Sequence, residues 1–530
     1  MPKKINVKAK SKSKSTAGKN VKLKLKLVDQ VTHLTLSIKK SEEMMDEVRK
    51  QMTESLQKEH QMAVCPTGIP LNTHAIDAYS VNYKKDKSNI FRTNALASLP
   101  MSACAENRAF LHTVNYSYSH SLQRVPRATS QENSGRCWLF AALNSMRYYL
   151  MRDLNLPDNF ELSEAYLFFY DKLERANLYL ENMVLYRHAD QHDFKLQCLI
   201  KRPVDDGGVW SFVVNLIKKY GIVPKTIYGE SFNSSISSEM NQALTDKLAQ
   251  FALEIREDAS KTDAYLRNKI VTEMIPVIYQ LLSNFMGEPP KTDDVFDWEY
   301  NEAGENVENV RHKGSYKLVK ALTPLTFYHN FIVEHYDVTN MVLLRNDPRA
   351  TSSYNTVYTT ELMGNMVGGQ PELAFNLCME HIKNITSNTI IAGHPVWFAC
   401  EVQRDFNAYY GLLAVEGYDY DSLLGMCMAQ TKEESLISRN GGPTHAMAIV
   451  GLNLKEDAEF PDKWKIENSW GEFNEGDPGY LLMTDAWFDR YGYEVVVPIS
   501  MLPEQLADIY NEQKYNPTVL PFNDAFGVVS

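Results

Sequence analysis

The sequence predicts an α+β fold in which helices and strands are segregated along the chain. Apolar stripes with helical spacing dominate the earlier part, whereas runs of β-branched and aromatic residues between Gly, Pro and Asp dominate the last third. No internal repeat is visible. Helices early and strands late are typical of an α+β architecture with segregated halves.

The composition is that of a globular protein. The chain has 530 residues, 44% of them hydrophobic and 23% charged, which is enough for a large core or for several subdomains around one site. No apolar run approaches the roughly 20 residues of a membrane helix. The N-terminus also lacks the apolar core of a secretory signal, so we expect neither membrane insertion nor export.

The seven cysteines form no CxxC pair and no regular spacing. An odd count in so long a chain argues against a disulfide framework and against a cysteine zinc site. A reducing compartment fits best. We therefore expect a cytoplasmic protein that needs no metal or other cofactor.

Residues 1–40 differ in charge from the rest of the chain. They contain twelve lysines and one acidic residue, Asp29, so the remainder is strongly acidic. That remainder does not resemble a nucleic-acid-binding surface, and the lysine-rich segment is predicted to be disordered. It could be a nuclear-import signal, a nucleic-acid-binding arm, an organelle presequence or a solubilising tail.

Several helices are predicted in the earlier part. Residues 41–60 carry one apolar stripe, and "CWLFAALNSMRYYLM" predicts an apolar helix from Cys137. Another helix follows in "LSEAYLFFYDKLERANLYL", and a third lies between the turn at 205–208 and Tyr220.

Two amphipathic helices are predicted between residues 240 and 287, and they indicate helix packing rather than a cofactor site. Their apolar stripes are Leu244, Leu248, Phe251 and Ile255, then Leu266, Ile270, Met274, Ile278, Leu281 and Phe285. Pro276 should kink or split the second helix. Strands are predicted at 395–402, 445–454, 463–470, 479–484 and 493–500.

The stretch "QENSGRCWLF" places Cys137 at the start of the apolar helix. A cysteine is most often a buried, inert residue, so the thiol alone does not indicate catalysis. A nucleophile needs its pKa lowered from about 8.5, and the positive end of a helix and a neighbouring imidazolium both do this. The helix provides the first, and a histidine must provide the second.

His445 is the best placed of the thirteen histidines, because it opens the strand in "GGPTHAMAIVGLNL". If the next strand forms a hairpin with this one, the amide oxygen of Asn468 can accept a hydrogen bond from the imidazole. Trp470 would then shield that bond from water. The Gln131 side chain and the Cys137 backbone N–H would hold the oxyanion of a tetrahedral intermediate.

These motifs together resemble the papain-like cysteine proteases, whose signature surrounds the cysteine. Position 134 is a serine, whereas secreted and lysosomal members have a disulfide-forming cysteine there. His445 lies 308 residues after Cys137, beyond the roughly 130–150 residues usual in the family. Despite these departures from the wider group, the chain resembles the bleomycin hydrolase or aminopeptidase C family from about residue 110 onwards. The resemblance rests on both departures and on the motifs "NSGRCW", "LSEAYLFFYDKLER", "DDGGVW", "YGIVPK", "RNDPR" and "PVWFACEV".

The resemblance implies a papain-like fold and a cysteine aminopeptidase in which Cys137, His445 and Asn468 are catalytic. Gln131 would complete the oxyanion hole. The resemblance also implies a homohexamer whose active sites face a central cavity. The implied substrates are peptides, and hydrolysis of bleomycin and homocysteine thiolactone is implied as well. The residues implied to bind substrate are Gly207, Gly208, Trp470 and Ser530, although the two glycines also fit a plain turn.

Exopeptidase character in that family comes from a C-terminal arm that lies in the cleft, where its carboxylate pairs with the substrate's α-ammonium group. This chain ends "LPFNDAFGVVS", which keeps four residues of the usual L-P-x-W-D-P-M-G-A-L-A pattern and replaces its Trp, Pro and Met. The expected organisation is an extension at 1–40 and a peptidase domain at 41–530. That domain would contain a helical insertion at about 240–390 and an arm at about 516–530.

Three other functions are open at this point. An arm that no longer blocks the cleft would give an endopeptidase of the same fold. The lysine-rich tail would suit a nucleic-acid-binding protein with a secondary protease site. A catalytically silent scaffold is disfavoured, because all four catalytic positions are intact.

Overall fold

The computed structural model describes residues 39–40, 44–48, 69–123, 126–304, 306–307, 310–311 and 314–527. Nearly all of the lysine-rich extension and the terminal residue Ser530 lie outside these ranges. Of the helix predicted at 41–60, residues 44–48 are described, and they are helical and exposed. The chain divides into two units, Met1–Ser98 and Leu99–Ser530.

Besides the short helical stretches at 39–40 and 44–48, the described part of the first unit contains two exposed helices, α1 (Thr73–Lys85) and α2 (Ser88–Leu96). Asn72 caps α1, since its side-chain oxygen accepts a hydrogen bond from the Ala75 N–H at 2.9 Å. Neither helix contains a buried residue.

The helices of the second unit range from one turn to six. They are α3 (Met101–Ala105), α4 (Arg108–Leu111), α5 (Cys137–Asp153), α6 (Glu164–Leu185), α7 (Phe194–Lys201), α8 (Trp210–Tyr220), α9 (Phe232–Ser235), α10 (Ser238–Glu257), α11 (Asp263–Lys269), α12 (Ile275–Met286), α13 (Pro324–Phe331), α14 (Met379–Ile391), α15 (Tyr420–Leu424), α16 (Lys432–Ser438), α17 (Asp485–Tyr491) and α18 (Glu504–Gln513). Among the described residues, no helix combines the length and the apolar character that a membrane crossing requires.

The strands form one large sheet and two small hairpins in the described part of the chain. They are β1 (His120–Ser121), β2 (Phe296–Asn301), β3 (Asn306–Val307), β4 (Val310–Arg311), β5 (Tyr316–Leu322), β6 (Met341–Arg345), β7 (Thr356–Thr360), β8 (Ala374–Asn376), β9 (Val396–Cys400), β10 (Phe406–Asn407), β11 (Leu412–Leu413), β12 (His445–Asn453), β13 (Lys463–Glu467), β14 (Tyr480–Thr484), β15 (Gly492–Pro498) and β16 (Thr518–Leu520). The large sheet has the order β10-β11-β14-β13-β12-β9-β15-β6-β8-β7-β16, and β1 also pairs with β12.

Strand β12 lies between two apolar cores, which explains its unbroken apolar sequence. Ala446, Ala448 and Val450 pack with the helical core that contains α5. The alternate residues Met447 and Ile449 pack with a second core that contains α14. Successive side chains of a strand point to opposite faces, so β12 joins the helical half of the molecule to the sheet.

The five predicted strands of the last third are confirmed as β9, β12, β13, β14 and β15. The predicted apolar helix is confirmed as α5, which begins at Cys137 and buries every residue from 138 to 151. The mixed α and β content agrees with the predicted α+β class.

A π-helical turn at Ile270–Met274 separates α11 from α12, and Pro276 lies in the first turn of α12. The predicted split near this proline is confirmed. The apolar face differs at its end, however, because Leu282 and Met286 are buried where Leu281 and Phe285 were expected. The wider π turn keeps the buried stripe at a spacing of four residues.

The region predicted as a helical insertion, about 240–390, is not helical throughout. Helices α10 to α12 are followed by the β2–β5 hairpin, and β6, β8 and β7 then extend the large sheet. The physical reason is visible in β6, where Leu343 packs into the helical core while Val342 and Leu344 pack into the sheet core.

Candidate active site

Cys137 is the first residue of α5, and it is partly exposed to solvent. Backbone N–H groups of Ala446, Trp138 and Cys137 itself act on its sulfur and favour the thiolate. Because Ala446 directly follows His445, the start of β12 lies beside the thiol. The segments at 137 and 445, distant in sequence, therefore meet.

The predicted hairpin of β12 and β13 is present, with Ala448 opposite Glu467. It brings His445 Nε2 to 2.9 Å from Asn468 Oδ1. Asn468 is fully buried, and its Oδ1 also accepts the Ser469 N–H at 2.8 Å. These two donors fix the orientation of the amide, so that its oxygen faces the imidazole.

Trp470 lies over His445, with the two ring centroids 4.7 Å apart and the rings tilted by 34°. The Gly471 N–H donates to the Thr129 carbonyl at 2.9 Å, and the Gln131 N–H donates to the Ser469 carbonyl at 2.8 Å. This short ladder fixes the segment after Asn468 against the segment before the cysteine.

The Gln131 side chain is buried and held at both ends of its amide. Its oxygen accepts the Ser469 hydroxyl at 2.7 Å, and its nitrogen donates to the Ser134 carbonyl at 2.6 Å. A primary amide nitrogen has two hydrogens, so one remains for another acceptor. These two hydrogen bonds therefore fix the orientation of the Gln131 amide before any substrate binds.

Burial dominates the acid–base properties of the thiol and the imidazole. It raises the pKa of Cys137 to about 11, although the neighbouring N–H groups oppose this. It lowers the pKa of His445 to about 4, although the hydrogen bond to Asn468 favours the protonated ring. Each group on its own is therefore neutral near pH 7.

Gly207 and Gly208 lie between Asp206 and α8, and Gly208 lies against Trp138 of α5. A Cβ on Gly208 would lie 2.5 Å from the Trp138 ring, so only glycine fits there. A Cβ on Gly207 would meet nothing within 4 Å. The two glycines are therefore not equivalent.

The C-terminal segment follows β16, which pairs in parallel with β7. Arg349 donates two hydrogen bonds of 2.9 Å to the Asp524 carboxylate. The Arg345 guanidinium lies 4.2 Å from the centre of the Phe526 ring. The Ala525 carbonyl lies 3.7 Å from a Cβ placed on Gly442, in the loop before His445. Residues up to Gly527 are described, so the terminal carboxylate of Ser530 is not.

One network of contacts beside the site was not predicted from the sequence, although Ser134 itself was singled out there. Ser134 donates to the Gln131 carbonyl at 2.7 Å and accepts from Arg136 at 2.8 Å, and Arg136 pairs with Glu230. Serine and arginine are too common in loops for this network to be read from spacing.

A buried ion pair also joins α5 to β13. Arg147 lies 2.5 Å from Glu467, the residue before Asn468. A signal for it existed, because Arg147 interrupts an otherwise apolar helix and buried charges are almost always paired.

Comparison with known proteins gives a consistent result. The sequence model of the Peptidase C1-like family matches residues 70–527. Bleomycin hydrolase of Homo sapiens is 32% identical over 469 residues, which is 87% of this chain and 99% of that protein. Aminopeptidase C of Lactobacillus delbrueckii subsp. lactis is 35% identical over 405 residues, covering 76% of this chain and 86% of that one.

The crystal structure of PepW from Lactobacillus rhamnosis HN001 matches with a TM-score of 0.80 and 32% identity, covering 86% of this chain and 98% of that chain. The likeness in fold thus extends over the same region as the likeness in sequence. The chain belongs to the Peptidase C1-like family, with a papain-like fold, and it is a cysteine aminopeptidase of the type represented by its bleomycin hydrolase and aminopeptidase C relatives.

Proposed function

We propose that Cys137 is the nucleophile of this aminopeptidase, that His445 is its general base and acid, and that Asn468 orients the imidazole. The observation that supports this most directly is the meeting of the thiol with the start of β12, where His445 is held by Asn468 at 2.9 Å. A nucleophile beside a base that a third group orients is the recurring arrangement of acyl-transfer sites.

The pKa values explain how the thiol is activated. Burial disfavours both a lone thiolate and a lone imidazolium. Transfer of the proton from Cys137 to His445 forms both charges together and brings no net charge into the site. The two opposite charges then stabilise each other at short range. The pair is therefore expected to ionise as a unit.

Acylation begins when the thiolate attacks the first peptide carbonyl and forms a C–S bond. The Gln131 amide and the Cys137 backbone N–H stabilise the resulting oxyanion. The C–N bond breaks, the imidazolium protonates the departing amine, and a thioester remains. Water then attacks the thioester carbon while His445 takes its proton. The C–S bond breaks, the acid is released, and the Cys137 sulfur leaves as a thiolate that shares the proton of His445 again.

The C-terminal segment at about 516–530 is proposed to be the arm that restricts this site to chain ends. Its support is the close approach of Ala525 to the loop before His445, together with the burial of Asp524 to Gly527. The terminal carboxylate of Ser530 would pair with the α-ammonium group of a substrate. Backbone atoms of Gly207 and Gly208, with Trp470 over the imidazole, would hold the substrate chain.

Other features of the family are proposed on the resemblance alone. They comprise a homohexamer, action on bleomycin and homocysteine thiolactone, and the assignment of the helices at 240–287 to the family's insertion at about 240–390. A cytoplasmic location fits the cysteines of the described residues, all of which are free thiols. The lysine-rich extension is proposed to direct the protein elsewhere or to bind nucleic acid.

The test compares peptides with a free N-terminus and the same peptides with an acetylated one. Wild type, Cys137→Ala and a chain truncated after Gly527 are assayed in parallel. We expect wild type to cleave only the free peptides, Cys137→Ala to be inactive, and the truncated chain to accept the acetylated ones.

The outcomes separate the two candidate activities. Equal cleavage of free and acetylated peptides by wild type would establish an endopeptidase and remove the arm from the mechanism. Full activity of folded Cys137→Ala would exclude the proposed nucleophile.

A further inference from the structure

We propose that Asp206 is a positioning residue for this reaction, because its carboxylate fixes the Gly207–Gly208 turn against the segment that carries Cys137. The inference rests on the proposed function, since the alignment matters only if Cys137 is the nucleophile. Asp206 directly precedes the two glycines and does not itself reach the thiol.

Asp206 binds the nucleophile segment on both sides of Cys137. Its Oδ2 accepts the Gly135 N–H at 3.1 Å, and its backbone carbonyl accepts the Trp138 indole N–H at 2.8 Å. The approach is close, because a Cβ on Gly135 would lie 2.7 Å from the Asp206 Cβ. The glycine at position 135 therefore makes room for this contact.

The same carboxylate accepts hydrogen bonds from side chains of two further elements. Lys172 of α6 lies 2.6 Å from Oδ1 and Asn241 of α10 lies 2.7 Å from it, while the Ser237 hydroxyl donates to Oδ2. Lys172 is fully buried and the Asp206 side chain is 13% exposed. The turn, the nucleophile segment and two packed helices thus meet at one carboxylate.

Asp206 is an anion in this setting. Burial alone would raise its pKa, but the Lys172 ammonium and the hydrogen bonds from Lys172, Ser237 and Asn241 outweigh burial and hold the pKa below its ordinary value. These three side chains and the Gly135 N–H all donate to the carboxylate. An asparagine at this position would offer one acceptor oxygen and turn its NH₂ group towards donors.

The consequence for catalysis is geometric. A substrate chain held by the Gly207–Gly208 turn must present its carbonyl to a sulfur held by α5. A misplacement of about 1 Å between two such parts can cost roughly 100-fold in rate. Attack by the thiol on a small reagent needs no such alignment and should be insensitive to Asp206.

The experiment compares wild type with Asp206→Asn, with Asp206→Asn/Lys172→Met and with the control Asp485→Asn. Asp485 is a matched carboxylate, because it accepts from Lys383 at 2.8 Å and from the Trp464 indole at 3.2 Å, and neither partner is a proposed site residue. Three quantities are measured: kcat/KM on a free peptide, the rate of inactivation by iodoacetamide, and the thermal midpoint.

Asp206→Asn is expected to lower kcat/KM by roughly 10- to 100-fold while iodoacetamide inactivates it within about twofold of the wild-type rate. Adding Lys172→Met removes the unpaired buried cation, so the thermal midpoint should recover while kcat/KM does not. Asp485→Asn should lower the midpoint and leave kcat/KM unchanged.

A wild-type kcat/KM in Asp206→Asn, or its recovery together with the midpoint in the double variant, would show that the carboxylate only stabilises the fold. Should Asp206→Asn not fold, Ser237→Ala/Asn241→Ala removes two of the donors, and an unchanged kcat/KM there would equally overturn the proposal. Activity of Cys137→Ala is a separate outcome, which refutes the nucleophile whatever Asp206 does.

Discussion

Asn468 shows how one side chain can determine the behaviour of another. Its oxygen accepts hydrogen bonds from the imidazole of His445 and from the Ser469 N–H, and its nitrogen has no hydrogen-bond partner among the described atoms. The amide therefore cannot rotate without leaving the two donors unsatisfied. Its proposed role is to hold Nε2 of the ring in place while the other nitrogen, Nδ1, exchanges a proton.

Replacing Asn468 with alanine should lower kcat by roughly 10- to 100-fold, because a hydrogen bond to a group that becomes charged contributes about 1.5–3 kcal/mol. Steady-state assays on a free peptide measure the loss. The control is Asn474→Ala, which removes a buried amide that binds the Tyr480 carbonyl instead. Equal losses of kcat in both variants would contradict an orienting role.

The buried imidazole also gives a pH-dependent stability. With no thiolate beside it, the buried His445 ring has its pKa lowered to about 4 from the ordinary 6.5, so as pH falls through this window the unfolded chain binds a proton first. Stability present above pH 6.5 is therefore lost towards pH 4, by roughly 3 kcal/mol.

This dependence is best measured with the thiol removed. Between pH 7.5 and 4.5, the thermal midpoint of Cys137→Ala should fall further than that of Cys137→Ala/His445→Gln. Glutamine keeps a donor for Asn468 but cannot take up the proton. Parallel curves for the two proteins would show that His445 is not the titrating group.

The residues proposed to be catalytic could be selected from the sequence, whereas the contacts that hold them in place could not. Gln131, His445 and Asn468 lie in short motifs whose spacing along the chain is informative. Asp206 was visible only as part of a turn, since its partners Lys172 and Asn241 come from helices whose packing decides the contact. Local patterns report local geometry, and these contacts depend on the tertiary structure.

At the scale of elements, the turn before α8 contains two glycines with different tolerances. Gly208→Ala should be destabilising by about 1–3 kcal/mol, because the new methyl group would overlap the Trp138 ring. Gly207→Ala should be tolerated, since space is open there and its φ is outside the left-handed region. Thermal midpoints of the two variants test the difference, and equal midpoints would contradict it.

The C-terminal segment is a second element with a measurable role. Asp524→Asn weakens the doubly bonded pair with Arg349, so the segment should leave its position more often. The ratio of acetylated-peptide to free-peptide cleavage should then rise at least severalfold. Asp263→Asn, which loosens a pair with Arg187 on another surface, should leave the ratio unchanged. A constant ratio in Asp524→Asn would mean that this pair does not hold the arm.

Helical periodicity was a good guide until the backbone departed from the regular α-helix. The stripe from Leu266 to Ile278 was predicted correctly, and the error began after the π turn. One wider turn rotates all later residues, and no composition signal marks where it occurs.

For the whole molecule, the fold class was easier to predict from the sequence than the bounds of its insertion. Helices before strands gave the α+β class, but residues 341–376 were assigned to an insertion although β6, β7 and β8 extend the sheet. Membership in a sheet depends on pairing with distant strands such as β15. The sequence of a short apolar run does not contain that information.

Removal of residues 1–40 should leave catalysis intact, because the family match begins at residue 70. We expect kcat/KM within about twofold of the full chain, and any salt-dependent affinity for nucleic acid should disappear with the lysines. Peptide assays and filter binding at two salt concentrations measure both. A large loss of kcat/KM would show that the extension contributes to the active site.

The distance in sequence between α5 and β13 has a consequence for biosynthesis. Asn468 is translated 331 residues after Cys137, which takes roughly 20–60 s at ordinary elongation rates. For most of that time the ribosome carries a chain with a thiol but with no β12 to pack beside it, because β12 begins only at His445. The proposed catalytic residues can therefore come together only after residue 468 of 530 has been made, late in translation.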